Sequence, residues 1–173
     1  MNMSLEAFKT EVLPVKDKLY RFAFKLLRDQ QEAQDVVQEV FIKIWNMRGE
    51  MDKLSNVEAW CMRITRNLSL DKLKSKHKKY TNTMEEGFDI SEESTATPYS
   101  ATEMNDAMYN VGKFIASLPE KQRQVIQLRD VEGYSYKEIS DIMEIDMNQV
   151  KVNLFRARKA VKENILNINA YGL

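Results

Sequence analysis

The feature that most constrains this chain is an apolar residue at every third or fourth position along most of its length. The pattern is clearest between residues 31 and 47, where one stripe contains Ala33, Val36, Val37, Val40, Phe41, Ile44 and Trp45. This spacing follows the turn of an α-helix, whereas a half-buried strand would alternate every second residue. No alternating run is long enough for a strand, and only five Gly and three Pro interrupt the chain. The sequence therefore predicts an all-α protein.

Breaks in this pattern divide the first half of the chain into predicted helices. Helical spacing covers about 4–30, 31–47 and 57–78. Within the first of these, Pro14 is expected near a break or in a first turn. Residues 46–56 lose the spacing and contain Gly49, which predicts a loop between the second and third helices.

A segment near the middle of the chain has a different composition. Residues 81–105 lose helical spacing and carry six acidic residues and no Lys or Arg. They are rich in Ser, Thr and Glu, so they cannot bury enough apolar surface to offset the entropy of ordering. We therefore expect two small helical domains, at 1–80 and 107–173, joined by a flexible acidic linker at 81–106. Seven Lys and Arg against one acid at 60–80 indicate a phosphate-bearing partner.

Few residues in the chain could carry catalysis or hold a metal. Cys61 is the only cysteine and His77 the only histidine, so neither an internal disulfide nor a zinc site is expected. The sequence also lacks a Gly-rich phosphate loop and a cluster of carboxylates within a helical core. We expect no enzyme activity, no metal, no cofactor and no small-molecule substrate. The N-terminus lacks a signal-peptide pattern and no long apolar run occurs, which predicts a cytoplasmic protein.

Residues 118–164 contain the helix start and stop signals expected of a helix-turn-helix. Pro119 suits a first helical position, and Gly133 ends that helix or follows its end. Ser135 and Glu138 predict a capping box for a short helix, and a four-residue turn then leads to a longer one. Two helices joined by such a turn, with basic residues on the second, are typical of DNA binding. An ordinary helical hairpin with a solvated face would look similar.

The longer helix, "NQVKVNLFRARKAVK" at 148–162, carries two apolar sets. The stripe expected to face the core contains Val150, Leu154, Ala157 and Val161. Val152 and Phe155 point the other way, among the charged residues. On a helix in the major groove, both can meet thymine methyl groups, and we favour this contact for Val152. For Phe155, packing against the first helix of its domain is an equal alternative.

Three motifs of this chain resemble one bacterial protein family. The run "LPEKQRQVIQLRDVEGYSYKEISDIMEIDMNQVKVNLFRARKAVKENI" closely resembles region 4 of sigma-70-family factors of the extracytoplasmic-function (ECF) group. The runs "AQDVVQEVFIKIW" and "AWCMRITRNLSLDKLK" resemble region 2 of the same group. The resemblance covers roughly residues 19–165. It implies a region 2 helical bundle, followed by a region 4 helix-turn-helix, in a non-catalytic alternative transcription initiation factor.

Such a factor binds core RNA polymerase, directs it to minus-10 and minus-35 promoter elements, and helps to open the duplex. The side chains expected to contact minus-35 DNA are those of Gln149, Lys151, Val152, Asn153, Phe155, Arg156 and Lys159. Arg suits guanine, Gln and Asn suit adenine, and Lys159 lies far enough along the helix to favour phosphates.

The resemblance also places functional residues in the first half of the chain. Those expected at minus-10 DNA are Met51, Arg63, Arg66, Asn67, Lys72 and Lys74. Asn67 would help to hold an unstacked base, and the loop at 46–56 would set base specificity. Met51 offers an apolar contact in that loop, or is an incidental loop residue. The residues expected to dock on the polymerase largest subunit are Asp35, Gln38, Glu39, Phe41 and Trp45.

Three positions depart from the family pattern. Lys74 stands where Arg is common, which keeps the charge but loses the bidentate fork. Glu144 stands in a turn where many members have Gly, so the turn is expected either to be strained or to follow a slightly different path. The run "MNQV" replaces the usual start of the recognition helix, so promoter preference cannot be transferred from a relative.

The resemblance further implies a partner that controls the factor. ECF factors are commonly held by an anti-sigma factor, often one anchored in a membrane. The alternative function is a stand-alone helix-turn-helix regulator that does not act through polymerase. Its N-terminal half would be a sensory or dimerisation module, and this alternative predicts no use for the loop and the basic helix at 46–79.

Overall fold

The structure is a computed structural model that describes residues 3–84 and 103–170. These residues form helices and turns and no strand, which confirms the predicted all-α class. The chain divides into two compact units, unit 1 (residues 1–96) and unit 2 (residues 97–173). Most of the predicted linker, at 85–102, lies outside the described residues. No helix in the described ranges is long and apolar enough to cross a membrane.

The described part of unit 1, residues 3–84, contains four α-helices and three tighter or wider helical turns. The α-helices are α1 (Leu5–Ala7), α2 (Lys16–Leu27), α3 (Gln30–Asn46) and α4 (Val57–Met84). A π-helical turn (Phe8–Val12) and a 3-10 turn (Leu13–Val15) separate α1 from α2, and a second 3-10 turn (Arg48–Lys53) follows α3.

The helix predicted over about 4–30 is therefore interrupted in its first half, and the interruption includes Pro14, where a break or a first turn was expected. Pro14 has no N–H to donate, and the backbone around it winds into the 3-10 turn before α2 begins. At the other end, Arg28 adopts a left-handed conformation with φ of 55° and ends α2. The carboxylate of Asp29 then accepts a hydrogen bond from the Glu32 N–H at 3.0 Å and starts α3.

The core of unit 1 lies among α2, α3 and α4, which pack against one another. The apolar stripe of α3 is buried at Ala33, Val36, Val37, Val40 and Ile44, as the periodicity predicted. Phe41 and Trp45, at the shoulder of the stripe, are only half-buried. Helix α4 extends to Met84, beyond the predicted end at 78, and the predicted loop is largely the 3-10 turn Arg48–Lys53.

Unit 2 contains α5 (Glu103–Ser117), α6 (Glu120–Ile126), α7 (Tyr136–Met143) and α8 (Met147–Ala170). A π-helical turn, Gln127–Val131, extends α6, and α8 packs against α5, α6 and α7. Pro119 is the N-cap of α6 rather than its first residue. Gly133 follows the end of that helix and has a φ of 81°, a left-handed conformation that glycine adopts more readily than other residues.

Short helix α7 and its flanking turn show the predicted helix-turn-helix signals. The Ser135 hydroxyl accepts from the Glu138 N–H, and the Glu138 carboxylate accepts from the Ser135 N–H, which confirms the capping box. Glu144 ends α7 in a left-handed conformation with φ of 55°. A residue with a Cβ is disfavoured there by roughly 1–2 kcal/mol, so the strain expected from the missing Gly is present.

Candidate nucleic-acid interface

Helix α8 is oriented by its buried side. The Asp146 carboxylate accepts a hydrogen bond from the Gln149 N–H at 2.8 Å, next to the start of the helix. Val150, Leu154 and Ala157 are buried, as the periodicity predicted, and they fix which face of α8 points outward. The residues exposed on the remaining surface include Gln149, Lys151, Val152, Phe155, Arg156 and Lys159.

Asn153 takes a different position from the other predicted DNA-contacting residues of α8. It is half-buried, and its side-chain amide donates to the Gln149 carbonyl at 2.8 Å. One donor of the amide is therefore engaged within the helix, while the second donor and the side-chain carbonyl remain for a ligand.

The two apolar residues among the charges are both at the surface. Val152 is 44% exposed and Phe155 is 67% exposed. Phe155 lines an open groove with Tyr136, Lys151 and Lys159 rather than packing into the core, so the packing alternative does not describe this structure. Large apolar side chains grouped on a basic surface indicate a binding face.

The two arginines of the run "RAR" have different surroundings. Arg158 donates to both carboxylate oxygens of Asp130, with the Nε–Oδ2 distance at 3.0 Å. The hydrogen bond to Asp130 raises the pKa of the Arg158 guanidinium above its usual value. Arg156 is exposed, and no residue in the described ranges forms an ion pair with it. Of the two, Arg156 is the one available to a ligand.

The residues predicted for minus-10 DNA lie mainly on α4. Arg63 and Lys74 are exposed, and Arg66 and Asn67 are half-buried. At about 100° per residue, these four lie within roughly 100° of one another around the helix axis. They form the basic face of α4, which is defined here by these four residues.

Lys72 does not belong to that face. It lies about 160° around the helix from Lys74, on the side that carries Lys76. Lys76 forms an ion pair with Glu32 of α3 at 2.8 Å, so this side of α4 is directed towards α3. The structure therefore separates Lys72 from the other predicted minus-10 residues.

Met51 also differs from its predicted position. It is only 3% exposed, because the 3-10 turn Arg48–Lys53 directs its side chain into unit 1. A base contact by this side chain would require the turn to move. Its burial instead makes Met51 the anchor of the turn.

The predicted polymerase-docking residues divide into two groups. Asp35, Gln38 and Glu39 are exposed on the outer face of α3. Phe41 and Trp45 lie beside that face and are partly covered by Phe8, whose ring meets theirs edge-on with centroid distances of 6.1 and 5.4 Å.

Ile42 belongs to the outer face of α3, although the sequence reasoning did not select it. It is 63% exposed and lies between Gln38 and Glu39 around the helix. Its signal in the sequence is its position off the apolar stripe, where a solvated helix would carry a polar residue.

The described residues contain no group of three His, Cys, Asp or Glu side chains that could hold a metal ion. Cys61 is buried, and its burial raises the pKa of the thiol from 9.0 to about 12. His77 is exposed near the end of α4.

A helix-turn-helix whose second helix is anchored by an apolar stripe and presents basic residues outward defines a DNA-binding protein. Two family models match the chain, sigma-70 region 2 at residues 12–79 and sigma-70 region 4 at residues 110–161. The RNA polymerase sigma-H factor of Pseudomonas aeruginosa is 31% identical over 162 residues, which cover 90% of this chain and 84% of the relative. The ECF RNA polymerase sigma factor SigW of Bacillus subtilis is 28% identical over 170 residues, which cover 94% and 91%.

A solved structure has the same fold. It is the sigma factor RpoE in complex with the anti-sigma factor NepR from Bartonella quintana, with a TM-score of 0.72 and 26% identity. The match covers 95% of this chain and 99% of that one. This chain belongs to the ECF group of the sigma-70 family of RNA polymerase sigma factors.

Proposed function

We propose that this sigma factor directs core RNA polymerase to promoters by reading the minus-35 element with α8 and the minus-10 element with unit 1. The observation that supports this most strongly is the outer face of α8. Its apolar stripe is buried, and Val152 and Phe155 nevertheless remain exposed beside Lys151 and Arg156. A purely solvated helix face has no need of two large exposed apolar side chains.

At the minus-35 element, side chains near the start of α8 would read bases. Gln149 and Asn153 suit adenine and Arg156 suits guanine, while Val152 and Phe155 would contact thymine methyl groups. Lys151 and Lys159, which line the groove beside Phe155, would contact phosphates and position the helix without reading the sequence.

At the minus-10 element, the basic face of α4 would follow one strand of the opened duplex. Asn67 lies between the cationic residues Arg63 and Lys74, where an extruded base would meet both charge and a hydrogen-bonding amide. The turn Arg48–Lys53 would set base preference mainly through its exposed residues and main chain, since Met51 is buried. Lys72 would contribute charge from the flank of the helix.

Core polymerase would dock on the outer face of α3. Its acidic and amide side chains, Asp35, Gln38 and Glu39, lie on the same face as the exposed Ile42, in the two turns before it. A central apolar residue with a polar rim is the usual arrangement of a protein–protein contact. Phe41 and Trp45 would support this face from beside it.

Control by an anti-sigma factor is proposed because the solved neighbour was crystallised with one. We place the action of this protein in the cytoplasm, where bacterial polymerase and promoter DNA lie. The functional boundaries at 1–80 and 107–173 stay a prediction.

The test is in vitro transcription with the full chain, core polymerase and fragments of the source genome. We expect discrete start sites that vanish when the sigma factor is omitted. If the chain binds DNA but neither binds core polymerase nor starts transcription, it is a stand-alone regulator and the proposal fails.

A further inference from the structure

The N-terminal segment of unit 1, residues 3–15, lies across the end of α3. This segment is named the N-terminal strap here. Met3, Val12 and Val15 are buried and anchor it, and its π-helical turn also packs against α4. The strap therefore contacts both α3 and α4.

The strap reaches the turn Arg48–Lys53 through two routes. In the first, the Phe8 ring meets the Trp45 ring edge-on at 5.4 Å, and the Arg48 guanidinium lies 4.7 Å from the centre of the same indole. Arg48 also donates from Nη1 to the Trp45 carbonyl at 2.9 Å. In the second, the Met3 N–H donates to the Arg48 carbonyl at 3.1 Å.

The strap therefore contacts Arg48 in two ways, directly through the Met3 N–H and indirectly through Phe8 and Trp45. Arg48 is the first residue of the 3-10 turn Arg48–Lys53. Runs of 3-10 helix longer than three or four residues are uncommon, and Gly49 adds backbone freedom. Such a turn needs support from outside itself. Here the support at its start comes from the strap, and the buried Met51 side chain holds its middle.

We propose that the N-terminal strap is a positioning element for minus-10 recognition. Phe8 and the Met3 N–H act through Trp45 and Arg48, and they fix the turn that reads the minus-10 bases. This inference rests on the proposed function, since it assigns base reading to that turn. It predicts that changes in the strap alter which bases are preferred at minus-10, and leave minus-35 preference unchanged.

The experiment uses the full chain with core polymerase and two promoter libraries. One library is randomised at minus-10 with a fixed minus-35 element, and the other is randomised at minus-35. Sequencing the transcripts gives base preference at each position independently of total yield. The first variant is Phe8→Ala, with Phe8→Leu as the conservative rescue. The matched control is Leu5→Ala, because Leu5 is an exposed apolar residue of the same strap.

A second pair of variants tests the hydrogen bond without removing the aromatic ring. Met3→Pro removes the N–H donor, whereas Met3→Ala removes the side chain and keeps the donor. The difference between these two variants reports the contact to the Arg48 carbonyl. Because Phe8 is left intact, this pair remains informative if Phe8→Ala fails to fold.

We expect Phe8→Ala to reduce discrimination at one or more minus-10 positions by about five- to tenfold, which is within the range that one base contact supplies. Phe8→Leu should recover most of the minus-10 discrimination, and Leu5→Ala should show the discrimination of the wild type. Met3→Pro should lose more discrimination than Met3→Ala. Equal loss of transcription from every library member, with unchanged base preference, would overturn the inference. If the wild type itself shows no minus-10 preference, the proposed function fails and the inference fails with it.

Discussion

Arg158 of α8 donates two hydrogen bonds to the carboxylate of Asp130, in the π-helical turn that extends α6. This pair ties α8 to the extension of α6 at a point where both side chains are partly exposed. Arg156, two residues earlier, lies about 160° away around the helix and faces solvent. The two arginines of one motif therefore have different surroundings: Arg158 is paired within the unit, and Arg156 is exposed to solvent.

The first prediction separates these two arginines. Arg156→Ala should weaken binding to minus-35 DNA by about tenfold, since one bidentate base contact is worth roughly 1–3 kcal/mol. It should leave polymerase association and the melting temperature unchanged. Arg158→Ala should instead lower the free energy of unfolding by no more than about 1 kcal/mol, because the ion pair is partly solvated. Fluorescence anisotropy with a selected minus-35 duplex and urea unfolding measure the two effects.

The control for this prediction is Asp130→Ala. It should lower the free energy of unfolding by about as much as Arg158→Ala does. The double variant should lower it by less than the sum of the two single variants. If Arg156→Ala abolished polymerase binding while DNA affinity stayed the same, the assigned role of α8 would be wrong.

The second prediction concerns adjacent apolar residues on α8. Leu154 is buried, so Leu154→Ala should lower the free energy of unfolding by about 2–5 kcal/mol. Phe155 is exposed, so Phe155→Ala should change stability by less than about 0.5 kcal/mol and still weaken minus-35 binding. Urea unfolding and anisotropy on the same two variants measure the contrast. A large loss of stability in Phe155→Ala would show that the ring packs into the unit.

The third prediction concerns the left-handed residue Glu144. Glu144→Gly should raise the free energy of unfolding by about 0.5–1 kcal/mol. Relief of the Cβ clash, roughly 1–2 kcal/mol, exceeds the added entropy of glycine in the unfolded chain. The parallel variant is Arg28→Gly, since Arg28 has the same φ of 55° at the end of α2. Chemical unfolding of both variants checks this, and a loss of stability in both would contradict the strain argument.

The fourth prediction concerns Cys61 and pH. Its thiol has a pKa of about 12 in the folded protein and 9.0 in the unfolded chain, because burial disfavours the thiolate. Below pH 9 both states hold the proton, so stability is unaffected. Above pH 9 only the unfolded chain releases it, and stability falls by about 1.4 kcal/mol per pH unit until the folded pKa is reached.

The corresponding measurements are thiol labelling and urea unfolding between pH 8 and pH 11. Iodoacetamide at pH 8.5 should label Cys61 only after urea is added. Cys61→Ala should show a shallower loss of stability with pH than the wild type. Rapid labelling of the folded protein would mean that the thiol is reachable and that the pKa argument fails.

The fifth prediction concerns the outer face of α3. Ile42→Glu should lower affinity for core polymerase by about tenfold or more, because it places a charge at the centre of the proposed contact. Stability should stay within about 0.5 kcal/mol of the wild type, since Ile42 is exposed. Lys43→Glu, at an exposed position away from the face centre, is the matched control. An equal loss of polymerase affinity in Ile42→Glu and Lys43→Glu would indicate general electrostatic repulsion rather than a specific contact at Ile42.

Local patterns in the sequence were sufficient where the deciding physics was local. The stripes of α3 and α8 were predicted because helix periodicity depends only on spacing along the chain. The capping box at Ser135 and the strained turn at Glu144 depend on neighbours within a few residues, and both were predicted correctly. A break or first turn near Pro14 was expected, whereas the π-helical turn Phe8–Val12 before it was not predicted. The switch between α, π and 3-10 winding at 5–15 depends on packing against α3 and α4 as well as on Pro14.

The sequence alone determined that the chain is helical, which side of each long helix is apolar, and the sigma-70 family to which it belongs. Only the tertiary structure decided which of several chemically similar residues face outward. Met51 and Phe155 are both large apolar residues among polar neighbours, yet Met51 is buried and Phe155 is exposed. Arg156 and Arg158 differ in pairing rather than in burial, because Asp130 lies beside Arg158 and not beside Arg156. Exposure and pairing depend on residues distant in the chain, and no local pattern encodes them.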